Sequence, residues 1–131
     1  MTVLLDTHVF VWLLLAPDRL DDSVMARVSD PSEHVLLSVA SAWEIAIKSA
    51  IGKLEVPEDL AIWLPDRLQR TNTDLLPIAV DHALRVATLP MHHRDPFDRL
   101  LIAQAHIEKI PIVTADRSFA AYDIEVISPT G

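Results

Sequence analysis

Thr2-Val3-Leu4-Leu5-Asp6-Thr7-His8-Val9-Phe10-Val11-Trp12-Leu13-Leu14-Leu15 places one aspartate between two kinds of apolar stretch. Thr2 to Leu5 is a short apolar run, the pattern of a buried strand. A largely apolar helix follows from about Thr7 to Leu15. Pro17, just past its end, suits a helix stop. Read outward from this unit, the rest of the chain alternates strand and helix signals, with no internal repeat.

Asp21 and Asp22 are placed to cap a second helix to about Ser29, with Pro31 beyond it. His34-Val35-Leu36-Leu37-Ser38 reads as the second strand. Ser41-Ala42-Trp43-Glu44 has the spacing of a capping box, serine followed three residues later by glutamate. The helix it opens runs to Ile51, and Gly52 suits a left-handed C-terminal cap. Pro57 starts a fourth helix to about Arg70. Leu75-Leu76-Pro77-Ile78 is a short third strand, pushed toward a sheet edge by its proline. Asp81 to Leu89 is a short helix. Asp95-Pro96 starts another, aspartate as cap and proline at the first helical position, and it runs to about Lys109. Ile112-Val113-Thr114 and Glu125-Val126-Ile127 are the fourth and fifth strands, with a brief helix between them. Strands alternating with helices predict one α/β domain over residues 1–131 with a mainly parallel sheet. Such sheets place their ligand site at the carboxyl ends of the strands, where strand order reverses.

Composition narrows the chemistry. The 131 residues fit one domain, and with 50% apolar residues the chain builds its core without staples. There is no cysteine, which excludes disulfides, zinc-thiolate sites and cysteine nucleophiles. With two glycines, Gly52 and Gly131, a Gly-rich phosphate loop is disfavoured. The amino terminus lacks a basic signal start. The longest apolar run, Val9 to Ala16, is far short of the roughly 20 residues that span a bilayer. A soluble cytoplasmic protein with no membrane association is expected. The formal charge of −8 argues, on its own, against nucleic-acid binding. It argues less if the acids are gathered where cations offset them.

Asp6 and Asp116 each follow an apolar strand signal, and Glu44 and Asp98 each sit in a first helical turn. Singly, each has a structural explanation: a helix cap for the two strand-end aspartates, a box partner or an ion pair with Lys48 for Glu44, a dipole contact for Asp98. Two features outweigh that. On a helical wheel Asp98 falls between Leu101, Ile102 and Ala105, a costly place for an unligated carboxylate. In addition, if strands one and four are neighbours, Asp6 and Asp116 face one crevice. Like charges about 4 Å apart repel by roughly 4 kcal/mol at an effective dielectric of about 20. A hard divalent cation, Mg2+ with Mn2+ as substitute, removes that repulsion and suits phosphodiester hydrolysis.

At these residues the chain resembles a known family. Leu4-Leu5-Asp6-Thr7-His8, Ser41-Ala42-Trp43-Glu44-Ile45, Asp95-Pro96-Phe97-Asp98-Arg99-Leu100-Leu101-Ile102-Ala103-Gln104-Ala105 and Val113-Thr114-Ala115-Asp116 resemble, in order and spacing, the motifs of PIN-domain proteins of the VapC toxin type. The resemblance implies a three-layer fold with sheet order 3-2-1-4-5. It implies a metal-binding quartet of Asp6, Glu44, Asp98 and Asp116, with Thr114 as the hydroxyl supporting it. It also implies RNA cleavage, a homodimer, and inhibition by a cognate VapB-type antitoxin through which DNA is met only indirectly.

Around the quartet, Thr7, Lys48 and Arg99 are candidates for supporting the acids or contacting substrate, and Arg94 and Arg117 flank them. His92 and His93 are adjacent, so their side chains diverge; they are read as solvated loop residues and no histidine metal site is expected. His8 is read as a packing residue of the first helical turn. Trp43, Ile47 and Ile51, and the set Leu60, Trp63, Leu64 and Leu68, form stripes whose default place is the core, the alternative being that one of them stays exposed for a dimer partner or an antitoxin helix. Competing functions are a non-cleaving PIN-like RNA- or protein-binding module, a receiver-type signalling domain and an aspartate phosphatase. The receiver would need an aspartate after its third strand and a lysine after its fifth. The phosphatase would need a second aspartate at the position of His8.

Overall fold

A computed structural model describes all 131 residues. Five strands, β1 (Thr2–Leu5), β2 (His34–Ser38), β3 (Thr73–Leu76), β4 (Ile112–Val113) and β5 (Val126–Ile127), form one sheet in the order β3-β2-β1-β4-β5. Every pairing is parallel. The expected order is therefore present. A receiver domain runs 2-1-3-4-5, so that alternative falls. The helices are α1 (Thr7–Leu15), α2 (Asp22–Ser29), α3 (Val39–Ala50), α4 (Leu60–Arg70), α5 (Val80–Arg85) and α6 (Pro96–Glu108).

Alternation along each strand builds two cores. Val3, Leu5, Val35, Leu37 and Val113 face one side and pack with Val9 and Phe10 of α1, Val24 and Val28 of α2, Ile45 of α3 and Trp63, Leu64 and Leu68 of α4. Leu4, Leu36 and Ile112 face the other side, against Leu101, Ile102 and Ala105 of α6 and against Phe119 and Tyr122. The result is three layers with β1 at the centre. Leu5 pairs with Val113, and the Asp6 N–H donates to the Val113 carbonyl at 3.0 Å. The carboxyl ends of β1 and β4 thus lie side by side.

Several boundaries differ from the sequence expectation. Helix α3 begins two residues before Ser41, because β2 enters it without a loop and Ser38 caps it, accepting from the Ala40 N–H at 3.0 Å. Ser41 lies inside the helix, where its hydroxyl accepts from Thr7 Oγ1 at 2.8 Å. The expected capping box is therefore absent and Glu44 is released from it. The other end is as expected: Gly52 has φ +75°, and the Lys53 N–H reaches back to the Lys48 carbonyl at 2.9 Å. Pro57 does not start α4; Asp59 caps it, and Pro65 is accommodated inside the helix on an exposed position. β3 starts at Thr73 and ends before Pro77, on the sheet edge. The Trp43–Ile47–Ile51 stripe is not core: the three side chains are 59%, 37% and 59% exposed. No helix is long and apolar enough to cross a membrane.

Candidate metal centre

The site begins with Asp6, the residue that ends β1 and caps α1. Its Oδ1 accepts the Thr7 N–H at 2.7 Å, the ordinary work of a cap. Its Oδ2 accepts Thr114 Oγ1–H at 2.7 Å and lies 3.2 Å from His8 Nδ1. His8 also packs edge-on against Trp12, so the packing role and the carboxylate contact coexist. Thr114, one residue past β4, in turn accepts the Asp116 N–H at 3.0 Å. One buried hydroxyl thereby couples the first and fourth acids. Thr7 is buried and supports the site through its backbone and its bond to Ser41.

Two helices bring the next two acids. Glu44, in the second turn of α3, is buried; its Oε2 meets Lys48 Nζ at 2.9 Å, one turn on, while its Oε1 is buried without any hydrogen-bond partner. Asp98 is the third residue of α6, behind the Asp95 cap whose carboxylate takes the Phe97 and Asp98 N–H groups. A cavity of about 330 Å³ is walled by Asp6, Glu44, Asp98 and Asp95, with Lys48 and Lys53 also among its walls. Asp116 is not among the walls. It caps the short 3-10 turn Arg117–Ala121 and accepts the Ser118 N–H at 3.0 Å and hydroxyl at 2.7 Å. The structure therefore brings three of the four acids to one cavity and sets the fourth beside it.

The electrostatics follow from this crowding. Asp98 is pushed up to about 7, first by burial, then by the charges of Asp6 and Asp95, with Glu44 adding and His93 opposing. Burial also raises the Asp6 carboxyl, against the pull of His8 and the hydrogen bonds from Thr114 and Thr7, with Glu44 adding to the rise. Burial works to raise Asp116 too, but the hydrogen bonds from Ser118 and His93 outweigh it and its carboxyl is lowered. Lys48 is raised by its bond to Glu44, despite partial burial, and by the charges of Glu44, Asp95 and Asp98. A buried oxygen with no donor, in a cavity whose carboxylates resist ionising together, fits a divalent cation. An all-oxygen donor set suits Mg2+ or Mn2+.

Two expectations about the surroundings are corrected. Arg99 is not at hand for substrate: it is buried, and its guanidinium donates to the carbonyls of Val86, Leu89, Pro90 and His93 and to the Tyr122 hydroxyl. It holds the loop that precedes the helix. His93 is not solvated: its Nε2 lies 3.0 Å from Asp98 Oδ2 and 2.9 Å from Asp116 Oδ2. His92 and His93 do diverge, as adjacent residues must, and His92 packs on the Tyr122 ring. Nothing in the periodicity marks His93, because a loop folded back by a buried arginine brings it to the acids. Arg94 and Arg117 are exposed.

The chain matches the PIN domain family over residues 3–125. It belongs to that family. Over 69 residues this PIN domain is 48% identical to Ribonuclease VapC16 of Mycobacterium tuberculosis (strain ATCC 25618 / H37Rv); the match takes in 53% of this chain and 47% of that protein, so the chain spans about half the length of the relative. Among solved structures it resembles VapBC2 from Rickettsia felis, bound to a DNA fragment from their promoter, with TM-score 0.73 and 16% identity over 97% of this chain and 98% of that one. It also resembles VapBC-1 from nontypeable Haemophilus influenzae, with TM-score 0.72 and 18% identity over the whole of both chains. At such identities these likenesses show the PIN fold.

Proposed function

We propose that this PIN domain is a metal-dependent endoribonuclease toxin that hydrolyses RNA phosphodiester bonds and is neutralised by a cognate VapB-type antitoxin. The observation that carries the reading is the cavity in which Asp6, Glu44 and Asp98 converge, with one Glu44 oxygen buried and unbonded. The identity to a ribonuclease of the VapC type supports the choice of RNA as substrate.

Asp6, Glu44 and Asp98 would hold Mg2+, or Mn2+ in its place. Such an ion, when bound, supplies activation of water and stabilisation of charge on the phosphate. Asp6 is oriented for this by Thr114 and by the Thr7 N–H. Lys48 and Lys53, on the cavity walls, and the exposed Arg94 and Arg117 supply the positive charge that a phosphate backbone needs locally. The two lysines place positive charge at the cavity itself, and a bound cation offsets part of the acidity around it. Exposed apolar side chains available to an antitoxin and to a second copy in a homodimer include Val39, Trp43 and Ile47 on α3 with Ile51 at its end, and Leu75, Ile78, Val80 and Leu84 around β3 and α5. DNA would be met only through the antitoxin.

The test is cleavage of RNA by the purified protein with and without Mg2+. Asp6→Asn, Glu44→Gln, Asp98→Asn and Asp116→Asn should each lower the metal-dependent rate by at least the roughly 10–100-fold that loss of a supporting partner costs, with an unchanged circular dichroism spectrum. Full activity in folded Asp98→Asn protein would refute the assignment. RNA retention without cleavage by the wild type would favour the non-cleaving module.

A further inference from the structure

The cavity does not end at its carboxylates. Its walls also include His8, Val11 and Trp12 of α1, and Leu54 beyond the end of α3. Positions 8, 11 and 12 share one face of a helix, so α1 turns a single stripe toward the cavity. Trp12 lies six residues past Asp6, about 9 Å along the helix at about 1.5 Å per residue. An ion held by Asp6 at about 2.0–2.1 Å is out of its reach. The acids account for one end of the cavity and leave the aromatic and aliphatic end without a use.

That end is firmly built. His8 meets the Trp12 ring edge-on, with centroids 4.9 Å apart. Trp12 packs against the core beneath α1, and the Arg19 guanidinium sits 4.4 Å from its ring centroid. Packing explains the covered part of the indole, but the side chain is only partly buried and borders the cavity. On the facing wall the Lys53 and Leu54 N–H groups both donate to the Lys48 carbonyl, at 2.9 and 3.2 Å, after the left-handed Gly52. This turn fixes Leu54 and Lys53 at the rim. Lys48 is engaged by Glu44, whereas Lys53 is exposed and enters none of the ion pairs of the protein. A free cation beside an aromatic wall, next to a place for a divalent ion, complements a phosphate with its base attached.

We propose that Trp12, with His8, Val11 and Leu54, forms a nucleobase subsite that seats one unpaired base beside the phosphate held at the acids, which makes single-stranded RNA the substrate. This rests on the ribonuclease reading of the site. In an A-form duplex the bases are paired and stacked, and side chains do not enter the deep, narrow major groove. A base therefore reaches Trp12 only from a single strand, a loop or an end. An aromatic wall accepts any base by its flat face, so the subsite selects strandedness before sequence. Trp12 acts here as a binding residue, and Lys53 contacts the backbone.

Fluorescence anisotropy with Ca2+ in place of Mg2+, the probes checked on gels for cleavage, tests the subsite. The probes are a labelled mixed-sequence RNA of about 12 nucleotides, the same RNA annealed to its complement, and an abasic ribose-phosphate oligomer of equal length. Wild type should bind the single strand roughly 5–150-fold more tightly than the abasic oligomer, and more tightly than the duplex. Trp12→Leu should bind RNA and abasic oligomer alike, and Trp12→Phe should restore the preference. Lys53→Met should weaken both single-stranded probes equally and lower the salt slope by about 1, as loss of a phosphate contact does. Equal affinity of wild type for RNA and abasic oligomer or for RNA and duplex, or an undiminished preference in Trp12→Leu, would overturn the subsite and leave metal-dependent cleavage at the acids standing. No binding of any probe by wild type would instead overturn the RNA reading on which the subsite rests. Should Trp12→Leu fail to fold, photocrosslinking of 4-thiouridine RNA to wild type decides. Adducts on His8 or Trp12 are expected, and adducts confined to other segments would overturn the proposal.

Discussion

The Asp6 side of the site and the Asp116 side hold their carboxylates by different means. Asp6 ends the central strand, is 2% exposed, and takes its donors from the sheet neighbour Thr114 and from the helix it caps. Asp116 lies on a loop, is more open, and is held by Ser118 and by the histidine of another loop. Asp98 belongs to both sides, facing the cavity with Asp6 and Glu44 and touching His93 with Asp116. The difference shows how a parallel sheet makes a site: the carboxyl end of its central strand sets the first carboxylate rigidly, two helices bring the next two, and a loop holds the last.

That contrast can be broken at graded cost. The largest expected effect is on the sheet side, where Asp6→Asn should abolish Mg2+ binding and metal-dependent cleavage, seen by calorimetry and an RNA assay. Next is the loop side's foundation. Arg99→Met leaves four carbonyls and the Tyr122 hydroxyl without their donor and should lower unfolding free energy by about 3 kcal/mol in urea. Thr114→Val removes the hydroxyl shared by Asp6 and Asp116 and should cost about 1–2 kcal/mol, with Mg2+ affinity reduced roughly 10–100-fold. Lys48→Met should change stability by less than about 1 kcal/mol, because its pair with Glu44 is half-exposed on the lysine side.

The shared residue Asp98 has a pH signature. Its carboxyl is raised from 3.8 to about 7, so between those values the metal-free folded protein keeps a proton that the unfolded chain gives up. Stability from this group is therefore fully present below about pH 4, declines as pH rises to about 7, and is level above that. Denaturation midpoints of metal-free wild type, compared with Asp98→Asn, should diverge in the variant's favour across that window. Equal pH dependence in the two proteins would show that the crowding of negative charge at Asp98 is not felt. Saturating Mg2+ should remove the divergence.

The parts of this account legible in the sequence are those with a period or a fixed offset. Thr2–Leu5 and His34–Ser38 stand out as apolar runs, and Asp6 and Asp116 stand out because each ends such a run. Asp98 stands out as an acid on an apolar helix face. The boundary of α3 was not legible, because Ser38 and Ser41 are both good caps and only the absence of a loop after β2 chooses between them. The exposure of Trp43, Ile47 and Ile51 was not legible either, since an apolar stripe looks the same whether it meets the core or a partner. Arg99 and His93 were misplaced for one reason. A buried guanidinium that organises carbonyls from Val86 to His93 depends on how a loop folds back, and loops carry no periodic signal.

The account depends most on one cavity between β1, α3 and α6 holding a divalent ion. Crystals grown with Mn2+ and measured for its anomalous scattering test it directly. The account predicts a peak within bonding distance of carboxylate oxygens from Asp6, Glu44 and Asp98. A protein that crystallises with these three side chains turned to separate patches of solvent, and Mn2+ bound elsewhere or nowhere, would contradict it.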